Sequence, residues 1–345
     1  MPTILIVKTS SLGDIVQAFD VLVDLHRRFP SAAIDWVAES KFCSIGAAHP
    51  LIRRAIPFDR KHLWQSIRGL RKEKYDLIFD LQGNCKSGLI TLLAHGKVKV
   101  GYGLQSVSEW PNVLATHIRF NVSKQQNIRS FYLELMGRYF NTAMPHDSEG
   151  VRFHIGLHEQ QKIAHILAKV PSKRKIMVCP GSKWVNKQLK LETWIAFLQK
   201  IDASFLLMWG NPAEKALCEE IASHLTTAIV VDQLPLPTWQ NLMHEVDLVI
   251  AVDSGALHLC GTTRTPSFSI FGPTSPKVFK PMGERHGAIQ GPCPYGRTFD
   301  KQCPILRSCP TGACIKDLTA EALFEALPIA LKQNKQYREV IAKRS

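Results

Sequence analysis

Apolar residues along this chain come in short, strand-sized runs separated by stretches of helical periodicity. Thr3 to Lys8 is β-rich, Ile15 to Phe29 has a helical pattern, Ile34 to Glu39 is again β-rich, and Phe42 to His49 is helical. That alternation predicts βαβ units and a parallel sheet. It continues through a strand at Ala55 to Phe58, a basic amphipathic stretch from His62 to Lys74, a strand at Asp76 to Leu81, a helix at Lys86 to Leu93 and a strand at Val98 to Tyr102. After Asn121 the pattern loosens, leaving one helix at Ile128 to Phe140 and a polar, turn-rich stretch from Asn141 to Gly150.

The second half repeats the scheme. Strands are expected at Lys175 to Cys179, Ser204 to Trp209, Ala228 to Val231, Asp247 to Val252 and Ser267 to Phe271. Helices at Leu191 to Lys200, Pro212 to His224, Thr238 to Glu245 and Gly255 to Thr262 separate them. The expected fold class is α/β, with two Rossmann-like, doubly wound domains over residues 1–155 and 156–330 and a basic helix or tail over 331–345. At 345 residues the chain exceeds what one core usually holds. Ligands of such sheets bind beyond the carboxyl ends of the strands, so facing strand ends would frame a central cleft.

With 45% hydrophobic and 21% charged residues the composition is globular. No apolar run approaches the roughly 18 residues of a membrane-spanning helix, and Met1 to Lys8 has no basic leader, so a cytoplasmic location is expected. The Asn121-Val122-Ser123 sequon then has no meaning. Forty-three Lys plus Arg against 29 Asp plus Glu leave a net charge of +14, which favours encounter with polyanions. The basic clusters, Arg27-Arg28, Arg53-Arg54, Arg60-Lys61, Arg68 to Lys74 and Lys332 to Arg344, lack the aromatic interleaving of a strand-binding groove. Anionic membrane and phosphate are therefore the expected partners, and nucleic acid is not. Of nine cysteines, Cys43, Cys85, Cys179, Cys218 and Cys260 read as small apolar residues. The dense set Cys293, Cys303, Cys309 and Cys314 has irregular gaps and leaves both a metal and a disulfide open.

Candidate chemistry gathers where strands turn into helices. Thr9 to Asp14 follows the first strand and delivers Asp14 to a helix start, where it or Ser11 also serves as a plain cap. Asp253-Ser254-Gly255, with His258 one turn on, has the outline of an anion site built on backbone N–H groups. Cys179 to Gln188 supplies a tight turn with Ser182, Lys183 and Lys187 as hydroxyl and ammonium donors. Phe271 to Pro276 is a stiff, small turn that reads equally as an ordinary loop. Gly101 to Ser106 brushes the dinucleotide fingerprint but lacks its third glycine, which argues against a nicotinamide enzyme. No Asp-x-Asp pair is present to chelate a metal on a nucleotide-sugar pyrophosphate.

Ile6-Val7-Lys8-Thr9-Ser10-Ser11-Leu12-Gly13-Asp14 resembles the opening of the lipopolysaccharide heptosyltransferases, glycosyltransferase family 9. The similarity runs on through Asp35 to Glu39, Asp80-Leu81-Gln82-Gly83, Trp209-Gly210, Asp253 to Gly255 with His258, and Phe271 to Thr274. The resemblance implies a GT-B fold, acceptor on the first domain and ADP-heptose on the second, inversion at the anomeric carbon, and neither metal nor other cofactor. By motif position Asp14 would be the catalytic base, and Ser10, Ser11, Gln82 and Lys86 would meet the acceptor. Ser182, Lys183, Lys187, Glu214, Asp253, Ser254, Gly255 and His258 would hold the donor, Glu214 at its ribose. The implied acceptor is Kdo-lipid A or heptosylated inner core, reached peripherally at the cytoplasmic face of the inner membrane. Ser182-Lys183 stands where first-heptose enzymes carry paired threonines, and Glu109-Trp110 where an arginine is expected, so the acceptor stays open. A glycolipid or nucleotide-sugar binding module without catalysis is the competing reading.

Overall fold

The structure, a computed structural model, describes residues 1–59, 61–143, 150–170 and 174–327. Arg60 and the basic tail expected over 331–345 lie outside them. The chain divides into two compact units, Met1–Ile155 and Gly156–Ser345.

The first unit carries strands β1 (Thr3–Val7), β2 (Ala33–Glu39), β3 (Arg54–Phe58), β4 (Tyr75–Asp80), β5 (Gly96–Tyr102) and β6 (Ile118–Phe120). Its helices are α1 (Leu12–Ala18), α2 (Asp20–Arg28), α3 (Cys43–Ala47), α4 (Leu63–Leu70), α5 (Cys85–Leu93) and α6 (Ile128–Phe140). All strands pair in parallel in the order β3-β2-β1-β4-β5-β6. Side chains alternate between the two faces of the sheet. Leu5, Val7, Val37 and Ile78 meet Leu70 of α4 and Ile90 of α5 on one face. On the other, Phe79 lies 5.4 Å from the Tyr139 ring of α6, and Trp36 lies 5.0 Å from Phe19, the residue between α1 and α2.

That junction differs from the single helix expected over Ile15 to Phe29. The chain turns at Phe19, whose buried ring is packed by Trp36, His49 and Phe153. Burying such a side chain contributes about 1.5–3 kcal/mol, more than a continuous helical hydrogen bond returns.

The second unit carries β7 (Lys175–Cys179), β8 (Ser204–Leu207), β9 (Ala228–Val230), β10 (Leu248–Val252), β11 (Ser267–Phe271) and β12 (His286–Gln290). Its helices are α7 (Leu157–Ala168), α8 (Leu191–Gln199), α9 (Pro212–Ser223), α10 (Leu236–Met243), α11 (Gly255–Cys260), α12 (Pro276–Phe279), α13 (Ala313–Lys316) and α14 (Ala320–Ala326). The sheet order is β12-β11-β10-β7-β8-β9. Counted within each unit, both sheets have the order 3-2-1-4-5-6, the doubly wound Rossmann-like topology expected. β6, β12 and α7 were not legible: the two strands lie at sheet edges, and β6 has only three residues. In both units the order reverses between first and fourth strands, so β1/β4 and β7/β10 mark the places where ligands of this topology bind.

Candidate functional site

In the first unit the wholly buried run Ile4 to Val7 drives β1 into the sheet, and Lys8 and Thr9 remain buried beyond it. The chain then turns into α1, with Ser11 at its N-cap and Asp14 at the third helical position. Asp14 Oδ2 accepts hydrogen bonds from Ser11 N at 3.0 Å and Ser11 Oγ at 2.8 Å. The carboxylate is therefore aimed by its own turn, in the manner of a capping box. One residue that the sequence did not single out sits beside it, and a second packs on that one. Tyr132 of α6 is buried, and burial together with the Asp14 charge pushes its phenol well up. The buried Lys8 places Nζ 5.4 Å over the Tyr132 ring.

The fourth-strand turn holds the first. Gln82 Oε1 accepts from Thr9 N at 3.2 Å and Ser10 N at 3.3 Å. Gln82 is held in turn by Asp80, whose Oδ1 accepts from Gln82 N and Gly83 N at 2.9 and 3.0 Å. Asn112 Nδ2 donates to the other carboxylate oxygen at 2.6 Å. Asp80 is fully buried; burial raises its carboxyl, and these neutral donors only partly offset the shift. Gly83 has φ +71°, and a Cβ there would come 3.0 Å from the Tyr102 ring, so both conformation and space demand glycine. Lys86 of α5 donates to Glu39 Oε1 at 2.5 Å, at the carboxyl end of β2. Ser10, Ser11, Asp14 and Gln82 thus share one hydrogen-bonded turn system, and Lys86 is tied to Glu39 instead.

In the second unit Asp253 follows β10 and is 4% exposed. Burial alone would raise its carboxyl, yet Lys187 and His258, with hydrogen bonds from Lys187 and Thr274, hold it below its ordinary value. Lys187 Nζ donates to Oδ2 at 2.6 Å, Thr274 Oγ1 donates to Oδ2 at 2.6 Å, and His258 Nε2 lies 3.5 Å from Oδ1. Ser182 Oγ donates to the Asp253 carbonyl at 3.4 Å. The turns after β7, β10 and β11 thereby converge on one carboxylate. Ser254 stands at the N-cap position of α11 beside Gly255, and its buried Oγ has no hydrogen-bond partner among the described residues. A buried hydroxyl without a partner is uncommon.

Glu214 belongs to a separate contact. Its Oε2 accepts from Gly210 N at 2.8 Å, and a Cβ on Gly181 would come 2.4 Å from its Cδ, so the carboxylate lies against the turn after β7. Lys183 does not join the Asp253 cluster: it is exposed, with Nζ 5.6 Å over the Trp184 ring. Thr274 was read only as part of a stiff turn; its hydroxyl role required the fold. Among the described residues no cysteine is paired, and no three His, Cys, Asp or Glu side chains form a metal-ligand group. Cys293, Cys303, Cys309 and Cys314 nonetheless line one cavity of about 20 Å³. Gly312 N–H, donating to Cys309 Sγ at 3.4 Å, lowers that thiol from its ordinary value.

Residues 63–308 match the profile of glycosyltransferase family 9 (heptosyltransferase). The chain is 29% identical to lipopolysaccharide heptosyltransferase 1 of Pseudomonas aeruginosa, over 87% of each chain. It is 26% identical to lipopolysaccharide heptosyltransferase 1 of Escherichia coli K12, over 84% of this chain and 93% of that one. Among solved structures, E. coli heptosyltransferase WaaC with ADP superposes with a TM-score of 0.75 at 24% identity, covering 94% of this chain and 98% of that one. E. coli ADP-heptose lps heptosyltransferase II gives a TM-score of 0.74 at 20% identity, covering 98% and 99%. The likeness shows the fold, which is GT-B.

Proposed function

This chain belongs to glycosyltransferase family 9, the heptosyltransferases, and from that premise we propose that it moves heptose from ADP-heptose to the lipopolysaccharide inner core, with inversion and without a metal. The observation that carries the reading is the Asp14 carboxylate, aimed by Ser11 N–H and Oγ at the carboxyl end of β1. On this reading the first unit takes the acceptor and the second takes the donor.

Asp14 accepts the proton of the acceptor hydroxyl as its oxygen attacks the heptose C1. The bond from C1 to the ADP β-phosphate oxygen breaks on the opposite face, so the anomeric configuration inverts. Negative charge then develops on the diphosphate. Lys187 spends one of its three N–H donors on Asp253 and keeps two for phosphate oxygens. Ser182, the unpartnered Ser254 hydroxyl and the Gly255 amide add neutral donors where that charge appears. Glu214 takes the ribose, and His258 and Lys183 line the donor more loosely. Ser10, Ser11, Gln82 and Lys86 meet the acceptor.

The relatives named lipopolysaccharide heptosyltransferase 1 in two genera support a lipopolysaccharide acceptor, which on this reading is Kdo-lipid A or heptosylated core. A glycolipid substrate places the enzyme peripherally at the cytoplasmic face of the inner membrane, and no described helix is long and apolar enough to cross one. The deciding experiment measures ADP release from ADP-heptose with each acceptor, for the native chain and Asp14→Ala. Acceptor-dependent release that vanishes in the variant is the expected result. Undiminished release from the variant would remove Asp14 as the base.

A further inference from the structure

The two helical layers of the first unit differ sharply in what they show to solvent. Among the described residues, none of its exposed large apolar side chains lies on α1, α2 or α6. Apart from Met1 at the chain start, they fall between residues 63 and 118, and six of those eight lie on α4, α5 or the turn Trp110–Ala115. We infer that the outer face of the opposite layer, α4 with α5 and the turn Trp110–Ala115, docks on an anionic phospholipid surface. The purpose of such docking rests on the proposed glycolipid substrate; the surface itself does not.

These segments form one layer. Leu70 of α4 and Ile90 of α5 enter the same core cluster, and Arg71 Nε, just past α4, donates to the Leu93 carbonyl at 3.1 Å. Gly88 of α5 presses on Asn112 and Ala115, and Cys85 N donates to Glu109 Oε2 at 2.7 Å. Outward from this layer stand Trp64 at 84% exposure, Trp110 at 67%, Leu114 at 71% and Leu92 at 55%, with Leu63 and Leu89. Exposed apolar side chains in such number on one face call for a partner.

Charge identifies the partner. Lys61, Arg68 and Lys72 are exposed around Trp64, and residues 61–74 hold five Lys or Arg against one carboxylate. That carboxylate, Glu73, lies 3.7 Å from Arg53. Tryptophan and leucine beside lysine and arginine suit a headgroup region, where the rings enter the interface and the cations meet lipid phosphates. An acidic protein would match the charge but leave the two exposed tryptophans without an apolar host.

The test is sedimentation of the full chain with vesicles of phosphatidylcholine alone or mixed with phosphatidylglycerol. The native chain should bind the mixed vesicles, more weakly at high salt, and bind the neutral ones little. Lys61→Glu/Arg68→Glu/Lys72→Glu, and separately Trp64→Ser/Trp110→Ser, should each lower binding by about tenfold or more. Leu157→Ser, which removes an exposed leucine of the second unit, should leave it unchanged. Thermal melting checks that the variants remain folded. Equal binding of native and variants, or equal binding to neutral vesicles, overturns the inference. So does a native dimer that the serine pair makes monomeric without any vesicle binding, which would assign the face to a second copy. Turnover on a delipidated, water-soluble acceptor should be unchanged in Lys61→Glu/Arg68→Glu/Lys72→Glu. Its absence in the native chain would count against the proposed function and leave the vesicle result standing.

Discussion

Asp80 and Asp253 occupy equivalent places in two sheets of the same order, each at the carboxyl end of the fourth strand, and both are buried. They are compensated in opposite ways. Asp80 receives neutral donors only, from two backbone N–H groups, Asn112 and Thr91, and its carboxyl is raised. Asp253 receives a lysine, a histidine and a hydroxyl, and its carboxyl is lowered. A ring of dipoles shapes a turn without adding charge, and in the first unit that turn positions Gln82 and, through it, Thr9 and Ser10. A cationic ring suits a neighbouring anion, because the lysine that neutralises the carboxylate keeps further N–H donors for one. The same topological position thus serves as a scaffold in one unit and as part of a charged site in the other.

The sharpest way to test this division is at Asp14, the group that the Asp80 scaffold indirectly supports. Asp14→Ala should lower kcat by about 10²–10⁴-fold, while urea unfolding shows a change near the roughly 1 kcal/mol typical of a lost cap. A large stability loss without a rate loss would make Asp14 structural only. Next in size is Asp253→Ala, which leaves the largely buried Lys187 unpaired and should cost about 3–5 kcal/mol in urea unfolding. If the variant were as stable as the native chain, the charged-site reading of Asp253 would fail.

Asp80→Ala should cost about 1–3 kcal/mol by leaving donors such as Asn112 Nδ2 unsatisfied, and should raise the acceptor KM more than the donor KM. The pH dependence separates the two aspartates further. Asp253 is held below 3.8, so its contribution is complete above that pH and is lost as pH falls through the lower folded value. For Asp80, held above 3.8, stability declines as pH rises from 3.8 through the raised folded value. Urea midpoints followed across acid pH should therefore flatten on opposite sides in Asp253→Asn and Asp80→Asn. The smallest effect belongs to Gly181→Ala. Its new Cβ displaces the flexible Glu214 carboxylate, which should raise the donor KM by about threefold, a loss of one hydrogen bond, and leave the melting temperature near native.

Much of this was readable beforehand. Lys175–Cys179, Ser267–Phe271 and Ile128–Phe140 begin and end where their apolar pattern does, because a buried strand or an amphipathic helix declares itself in adjacent residues. Asp14 was readable for the same reason: its partner, Ser11, is three residues away. Edge strands such as β6 have little burial to impose a pattern, and β6 is largely exposed. Lys8 and Tyr132 were invisible as a pair, since their meeting depends on how α6 crosses the sheet.

The chain's own order of residues determined two α/β repeats, the strand-end turns and the identity of the chemical groups on them, because periodicity, capping and turn chemistry act over a few residues. Only tertiary structure decided which groups act together. Lys187 and Thr274 reach Asp253 across 66 and 21 residues, while Lys183, four residues from Lys187, turns away to Trp184. The partners brought to each buried aspartate then determined the sign of its shift, since the low-dielectric interior penalises a charge until a charged group from elsewhere in the chain compensates it.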